Sequence, residues 1–328
     1  MKIYQWGILS TANIGRKAMI PALKSSNAAK VTAVASRDIK KGRQFAKELE
    51  IPNAYGEYQS LLNDPTIDII YNPLPNHLHK PLTIRAAEAG KHILCEKPLG
   101  LNADECHEMI AAAKANGVQL MESFMYRHHP RIKAAHDMIQ KNAIGEVKTI
   151  ESAFTFYLER PWDIRLKPEM GGGAAMDVGC YCINISRLMA GREPEVAQAR
   201  AVIGESGVDI QLAAILDFGN GLLAHFDCGF NQNSRQRCII SGTEGFMVLR
   251  DVFVPGKAET AIVHIKDDQS QTEHFPGVDH YQLIAEDFMA GIESGILPYP
   301  PEDAVANMRV IQAVLESVRN FGKPVAIY

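Results

Sequence analysis

The sequence predicts an α/β protein with two domains. Residues 1–122 read as a doubly wound parallel sheet, and residues 123–328 as an α+β domain with a large, mostly antiparallel open sheet. Three observations predict this. Strand and helix signals alternate through the first third, which implies right-handed crossovers between parallel strands. Later strands follow one another with short polar turns, the pattern of an antiparallel sheet. The chain has 328 residues, about twice the usual length of one domain.

In order, Ile3–Leu9 is a short apolar strand and Ile14–Lys24 a helix, with Pro21 expected to kink it or to occupy its first turn. Val31–Ala35 is the next strand and Ile39–Glu48 the next helix. Strands at Asp68–Tyr71, His92–Cys95 and Val118–Met121 follow, separated by helices at Lys80–Ala89 and Ala103–Ala115. Gly90 and Gly117 suit left-handed helix C-caps. Arg131–Gln140 then reads as a helix and Val147–Tyr157 as a long strand. Gly171-Gly172-Gly173 opens a helix running to about Met189. Strands follow at Val196–Ile203, Ile210–Leu216, Leu222–Asp227, Arg237–Ser241 and Phe246–Leu249, with Gly219-Asn220-Gly221 as a hairpin turn. Helices at His280–Ile292 and Glu302–Arg319 complete the reading, and the second is assigned packing only.

Composition narrows the function. Hydrophobic residues make up 46% and charged residues 22%, which sets disorder, collagen and coiled coil aside. The net charge of −4 lacks the basic face that a phosphate backbone needs, so no nucleic-acid partner is expected. No apolar run approaches the roughly 20 residues of a membrane span, so no membrane partner is expected. No signal peptide is visible, and the six cysteines show no CxxC or zinc spacing. Free thiols in the cytoplasm are the expectation.

Four constellations carry chemistry. The first is the turn Gly7-Ile8-Leu9-Ser10-Thr11-Ala12-Asn13-Ile14-Gly15 between the first strand and helix. Set against G-x-G-x-x-G it reads Ser10-x-Ala12-x-x-Gly15, keeping one glycine and two of the smallest side chains. Close approach to a dinucleotide pyrophosphate stays feasible, with an ordinary tight turn as the alternative. The second is Ser36-Arg37-Asp38 at the end of the second strand. A carboxylate at the first of these positions would favour NAD; a hydroxyl followed by a guanidinium favours the 2′-phosphate of NADP. The alternative is that Arg37 pairs with Asp38 or another surface carboxylate and that Asp38 itself binds the ribose.

The third is Glu96-Lys97-Pro98, where an apolar strand ends in a charged pair and a proline open to the cis form. Ligands of parallel sheets sit at the carboxyl ends of strands, which suits a lysine to chemistry there; a surface Glu–Lys pair is the alternative. The fourth is the Asp177, Tyr181, Asn184 stripe, spaced i, i+4, i+7 on one helix face among Ala, Met, Val and Ile. A phenol near a cation is a proton-transfer group. Moving its pKa from about 10 to about 7 takes ~4 kcal/mol, which one cation at ~4 Å supplies at an effective dielectric near 20. A tyrosine packed in the core is the alternative. Asn76 and His79 after the strand Asp68–Tyr71, Glu122–Arg127 with Tyr126, and Trp162–Arg165 could also line the cleft. His77-x-His79 and His128-His129 lack acidic or cysteine partners, so no metal is expected.

Taken together, Trp6–Gly15, Ala54-Tyr55-Gly56, Asn76…His79, Ala89-Gly90-Lys91-His92, Glu96-Lys97-Pro98 and Gly171…Asp177…Tyr181 resemble the Gfo/Idh/MocA oxidoreductases over nearly the whole chain. Within them Glu122–Arg127 and Tyr181 are similar to the dimeric dihydrodiol dehydrogenases and NADP-dependent D-xylose dehydrogenases. Inositol dehydrogenase-like members usually carry His and Asp where Tyr181 and Asn184 stand. The resemblance implies a Rossmann domain and a second domain whose open sheet forms a homodimer or higher homo-oligomer. It implies a dehydrogenase or reductase using NADP, preferred here, or NAD, on a sugar or cyclic diol. Carried over by position, Lys97 and Tyr181 would be catalytic, and Asp177 would position substrate or lysine. Thr11, Asn13 and Ile14, flanked by Ser10 and Ala12, would meet the pyrophosphate, with Ser36 and Arg37 at the adenosine ribose. Pro73, Leu74, Asn76, His79, Glu96, Lys97 and Arg165 would lie along the nicotinamide half; Tyr126, Asp177, Tyr181 and Asn184 would face substrate. Two other readings remain open: a sugar–sugar oxidoreductase with tightly held cofactor, and a non-catalytic nucleotide-binding regulator.

Overall fold

A computed structural model describes residues 2–267 and 269–328. The chain divides into two compact units, Met1–Met125 with Asp279–Val305, and Tyr126–Val278 with Ala306–Tyr328. The sequence reading put residues 279–305 in the second domain; the packing groups them with the first unit. The helix His280–Ser294 lays Phe288 against Trp6, ring centroids 6.3 Å apart edge to face. An amphipathic stripe shows that a helix packs, not on which sheet.

The first unit is built on six strands: β1 (Tyr4–Leu9), β2 (Ala29–Ala35), β3 (Asn53–Tyr55), β4 (Ile69–Asn72), β5 (His92–Glu96) and β6 (Leu120–Ser123). Their order is β3-β2-β1-β4-β5-β6 and every pairing is parallel. This is the doubly wound order the alternation predicts. The strands are short apolar runs, and β4 is buried throughout, as a sheet covered on both faces requires. Helices α1 (Ile20–Ser25), α2 (Ile39–Glu48), α3 (Tyr58–Leu62), α4 (His79–Glu88) and α5 (Ala103–Ala115) connect them. The Asp38 side chain caps α2 and the Asn102 side chain caps α5. Pro21 lies in the first turn of α1, and a π-helical turn, Gly15–Met19, precedes it. A proline has no N–H to give, so the ladder is rearranged where it enters.

The second unit is a nine-stranded sheet. Its strands are β7 (Val147–Tyr157), β8 (Val196–Ile203), β9 (Asp209–Asp217), β10 (Leu223–Gly229), β11 (Asn231–Gly242), β12 (Phe246–Arg250), β13 (Thr260–Lys266), β14 (Gln269–Phe275) and β15 (Val325–Ala326). The order is β14-β13-β12-β11-β7-β10-β9-β8-β15, and among the described residues of this sheet only β7 with β10 pairs parallel. Gly219, Asn220 and Gly221 all have positive φ and turn β9 into β10, as their composition predicts. Helices α6 (Pro130–Gln140) and α7 (Cys180–Ala190) belong to this unit, and α7 packs on β7 and β10. On that face lie Ile150, Leu212, Ala214, Phe226 and Ile240, all buried. The opposite face alternates outward with Gln198, Arg200, Ile215 and His225 exposed. None of the six cysteines forms a disulfide, and all are buried. Among the described residues no helix is long and apolar enough to cross a membrane.

Candidate active site

Because its strands are parallel, the first unit brings the carboxyl ends of β1, β2, β4 and β5 to one edge. Four expected segments therefore lie along that edge: Ser10–Ile14, Ser36–Arg37, Pro73–Asn76 and Glu96–Lys97. The strand order reverses between β1 and β4, where ligands of such sheets bind. Ser10, which replaces the first glycine of the dinucleotide turn, has φ +95°, the conformation that glycine supplies at no cost. Its Oγ accepts from the Ala12 N–H at 3.2 Å and its N–H donates to Ala35 at 2.8 Å. The turn thus keeps a glycine-like path without the glycine. Thr11, Ala12 and Ile14 are half-buried and Asn13 is exposed, so the segment is open to a pyrophosphate.

At the end of β2, Ser36 is buried and Arg37 is exposed. Asp38 Oδ1 accepts from the backbone N–H groups of Lys40 and Lys41, at 3.0 and 3.2 Å. Its carboxylate is committed to the helix cap, which disfavours Asp38 as a ribose ligand or as the partner of Arg37. Arg37 lies against the Tyr58 hydroxyl instead; burial raises the Tyr58 phenol and Arg37 opposes that rise. An exposed guanidinium beside a buried Ser36 fits a 2′-phosphate.

The Lys97–Pro98 bond is cis. The segment around it is fixed by side chains from neighbouring elements: Glu122 Oε1 accepts from the Leu99 N–H at 2.7 Å and Glu105 Oε2 from the Leu101 N–H at 2.9 Å. Tyr71 donates to Glu96 Oε1 at 2.6 Å. Burial pushes the Glu96 carboxyl upward, against hydrogen bonds from Tyr71 and Ser123 and the charge of Lys97. His79, expected to touch the nicotinamide, is fully buried. Its Nδ1 lies 2.9 Å from the Pro98 carbonyl and its Nε2 2.7 Å from the Leu74 carbonyl. Burial pushes the ring down to about 4. Its place after the strand Asp68–Tyr71 put His79 near the sheet end but did not show that two main-chain carbonyls enclose it. Among the described residues no three His, Cys, Asp or Glu side chains gather as a metal site would require.

In the second unit the triple glycine has a steric reason. A Cβ on Gly173 would sit 2.3 Å from Asp209 Oδ1, and one on Gly172 2.4 Å from the Arg165 carbonyl. Gly173, at φ +116°, donates to that carbonyl at 2.8 Å. Bare backbone here lets the Asp209 carboxylate reach the start of the helix, where Oδ2 accepts from the Ala175 N–H at 2.7 Å. A π-helical turn, Ala175–Gly179, follows and leads into α7. Such turns often occur at functional sites.

Asp177 and Arg165 are brought together: Arg165 Nε donates to Asp177 Oδ2 at 2.6 Å, and its Nη1 lies 3.2 Å from Asp163. The Asp177 carboxylate, first among several causes, raises the Arg165 guanidinium pKa further. Tyr181 is 5% exposed, and its ring is held among Tyr126, Phe154 and Phe253, at centroid distances of 5.8, 5.3 and 5.4 Å. Tyr126 and Asn184, expected at the substrate, are fully buried. Tyr126 donates to Asn184 Oδ1 at 2.5 Å, and Arg127 Nε donates to the same oxygen at 2.7 Å. The i, i+4, i+7 stripe thus runs inward along its length. Asp177 keeps some exposure, whereas Asn184 lies in the core and braces the ring beside Tyr181.

Sequence reasoning missed Asp209, Phe154 and Phe253, which no motif flags, and Arg131. Arg131 is buried and donates to the carbonyls of Arg250 and Asp251 at 2.7 and 3.0 Å, fixing the loop that carries Phe253. Burial pushes Asp209 up to about 6, against backbone N–H donors that include Ala175. A carboxyl raised in the folded state gives stability that is complete below its unfolded value, near 3.9, and is lost as pH rises through about 6. Asp209→Asn, whose amide oxygen still accepts from Ala175, lacks that loss. Its stability relative to wild type is expected to improve by about 2–3 kcal/mol between pH 4 and pH 7, measured by urea unfolding at both. A difference that does not change with pH would contradict the assignment.

The model of the oxidoreductase family with an NAD-binding Rossmann fold, GFO_IDH_MocA, matches residues 4–124. The model of the GFO/IDH/MocA C-terminal domain matches residues 132–248. The chain is 37% identical to D-xylose 1-dehydrogenase (NADP(+)) 2 of Haloferax volcanii, over 95% of this chain and 96% of that protein. It is 33% identical to trans-1,2-dihydrobenzene-1,2-diol dehydrogenase of Mus musculus, over 76% of each. Among solved structures, a 3-ketoreductase from Actinomadura kijaniata in complex with NADP and TDP-benzene superposes with a TM-score of 0.92. Its identity is 28%, over 96% of this chain and 98% of that one.

Proposed function

Because the chain belongs to the Gfo/Idh/MocA oxidoreductase family, we propose how its residues divide the work of a dehydrogenase. The protein is an NAD(P)-dependent oxidoreductase acting on CH–OH groups. It moves a hydride between nicotinamide and the hydroxyl-bearing or carbonyl carbon of a sugar or cyclic diol. The observation that carries the assignment of residues is a lysine at the carboxyl end of a central parallel strand together with a tyrosine one helical turn beyond Asp177.

The bound dinucleotide supplies the hydride acceptor in oxidation and the donor in reduction. Ser10–Ile14 hold its pyrophosphate on the turn after β1, and Ser36 and Arg37 hold the adenosine ribose. Main chain of Pro73 and Leu74, with Asn76, Glu96 and Lys97, holds the nicotinamide half. In oxidation Tyr181 Oη accepts the substrate hydroxyl proton, and in reduction it returns a proton to the carbonyl oxygen. The ammonium of Lys97 stabilises the phenolate and the charge developing on the reacting oxygen. Asp177, its carboxylate aligned by Arg165, positions the substrate. Tyr126 and Asn184 serve the substrate indirectly, by fixing the Tyr181 ring.

Arg37 supports a preference for NADP over NAD. Arg37→Ala is expected to weaken NADP binding about 10- to 100-fold, the loss of one charge-assisted contact, with little change for NAD. Fluorescence titration with both reduced cofactors measures this, and an equal loss for both would remove the assignment. The protein acts in the cytoplasm and pairs with a second copy through the outward face of the nine-stranded sheet, where Ile215 and Leu223 are 49% and 45% exposed. Sedimentation that shows only monomer at micromolar concentration would exclude the pairing.

The activity is tested by following NADPH formation or loss against aldoses, inositols, cyclic diols and dicarbonyls. Turnover of an aldose or a cyclic diol is the expected result. NADPH binding with no turnover on the whole panel would make the protein a non-catalytic nucleotide binder.

A further inference from the structure

We infer that His79 is a positioning residue for Lys97, tying the segment that carries the lysine to the segment that holds the nicotinamide half. The inference rests on the reading of Lys97 as the charge partner of Tyr181. His79 opens α4 and none of its surface is exposed, so it touches neither substrate nor cofactor. Its ring lies between two main-chain carbonyls, that of Pro98 at 2.9 Å and that of Leu74 at 2.7 Å. Pro98 directly follows Lys97, and Leu74 lies in the Pro73–Asn76 segment after β4. Both segments are irregular backbone at strand ends, with no ladder partner to set their path.

The rest of the local bonding supports the same role. Asn72 Nδ2 donates to the His79 carbonyl at 3.4 Å and to Thr83 Oγ1 at 3.2 Å, while Asn72 Oδ1 accepts from the Leu74 N–H at 3.4 Å. Leu99, one residue beyond Pro98, donates its N–H to Glu122 on β6. The Lys97 segment is thus held from one side by the end of β6 and from the other by the His79 ring. Neutral at working pH, the ring carries one N–H, so it donates to one of the two carbonyls and packs against the other; removing it leaves the accepting carbonyl without its donor and frees both segments to move. A displaced ammonium loses field strength at a phenol steeply with distance.

The test compares full-length wild type, His79→Ala, His79→Gln and Lys97→Ala, each with NADP+. Hydrogen exchange over residues 72–78 and 97–101, read by mass spectrometry, is expected to quicken about tenfold or more in His79→Ala. In His79→Gln, which keeps one donor at similar reach, it is expected to return to within about threefold of wild type. The Tyr181 phenol, followed by NMR with ring-labelled tyrosine, is expected to titrate about one unit higher in His79→Ala, and higher still in Lys97→Ala. Where His79→Ala does not yield folded protein, His79→Asn takes its place. That shorter side chain keeps a donor but cannot span both carbonyls, and the same two changes are expected in it. Quickened exchange without movement of the phenol, while Lys97→Ala moves it, makes His79 merely structural and overturns the inference alone. Unchanged exchange in a folded variant overturns it as well. A phenol that does not respond to Lys97→Ala overturns the reading of Lys97 and this inference with it.

Discussion

Tyr181→Phe is expected to lower kcat about 10²–10⁴-fold, the range set by loss of a general acid–base group, with NADPH affinity nearly intact. The substitution is a clean one because of how the ring is held. Tyr126, Phe154 and Phe253 meet the Tyr181 ring, and phenylalanine preserves all three meetings. Stability should therefore change little, and the effect should fall on turnover. Steady-state kinetics in both directions, with NADPH binding followed by fluorescence, separates the two. Wild-type turnover in the variant would take Tyr181 out of the proton step. A large fall in NADPH affinity would show instead that its hydroxyl serves the cofactor.

Lys97→Ala is expected to lower kcat about 10²–10³-fold, the usual cost of removing one oriented group that stabilises charge in the transition state. The main chain around it should hold, because Glu122 and Glu105 anchor the N–H groups of Leu99 and Leu101. NADPH affinity should fall by no more than about tenfold, since the pyrophosphate and adenosine segments lie on β1 and β2. Kinetics and cofactor titration on the same sample measure both. A variant that turns over within about threefold of wild type would reduce Lys97 to a strand-end surface residue.

Much of this arrangement was legible because it depends on local patterns. The ends of β5 and β2 could be read from apolar runs that stop at Glu96-Lys97-Pro98 and Ser36-Arg37-Asp38. The β9–β10 hairpin followed from Gly219-Asn220-Gly221. Elements with little apolar content escaped: β3 has three residues, α3 has five, and β14, QSQTEHF, is exposed along nearly all its length. Its partner β13, TAIVHIK, also escaped, although it is largely apolar. Depth also escaped. Helical spacing places Asp177, Tyr181 and Asn184 on one stripe, but it does not show that the stripe passes from the partly exposed Asp177 to Asn184 in the core. Asp209 lies 36 residues after Gly173 and meets it only through the pairing of the sheet with the helix start, so the need for glycine at 173 had no visible cause in the sequence. The two carbonyls around His79 belong to the same class, being main-chain groups that no side-chain motif can announce.

The titration of the Tyr181 phenol in the NADP+ complex tests the shared role of Tyr181 and Lys97 most directly. Ring-labelled tyrosine, assigned by its absence in Tyr181→Phe, reports the midpoint by NMR. A midpoint near pH 7 in the wild type, rising towards about 10 in Lys97→Ala, is the predicted result. A midpoint at about 10 or above in both proteins would contradict the pairing of ammonium and phenolate on which the proposed proton transfer depends.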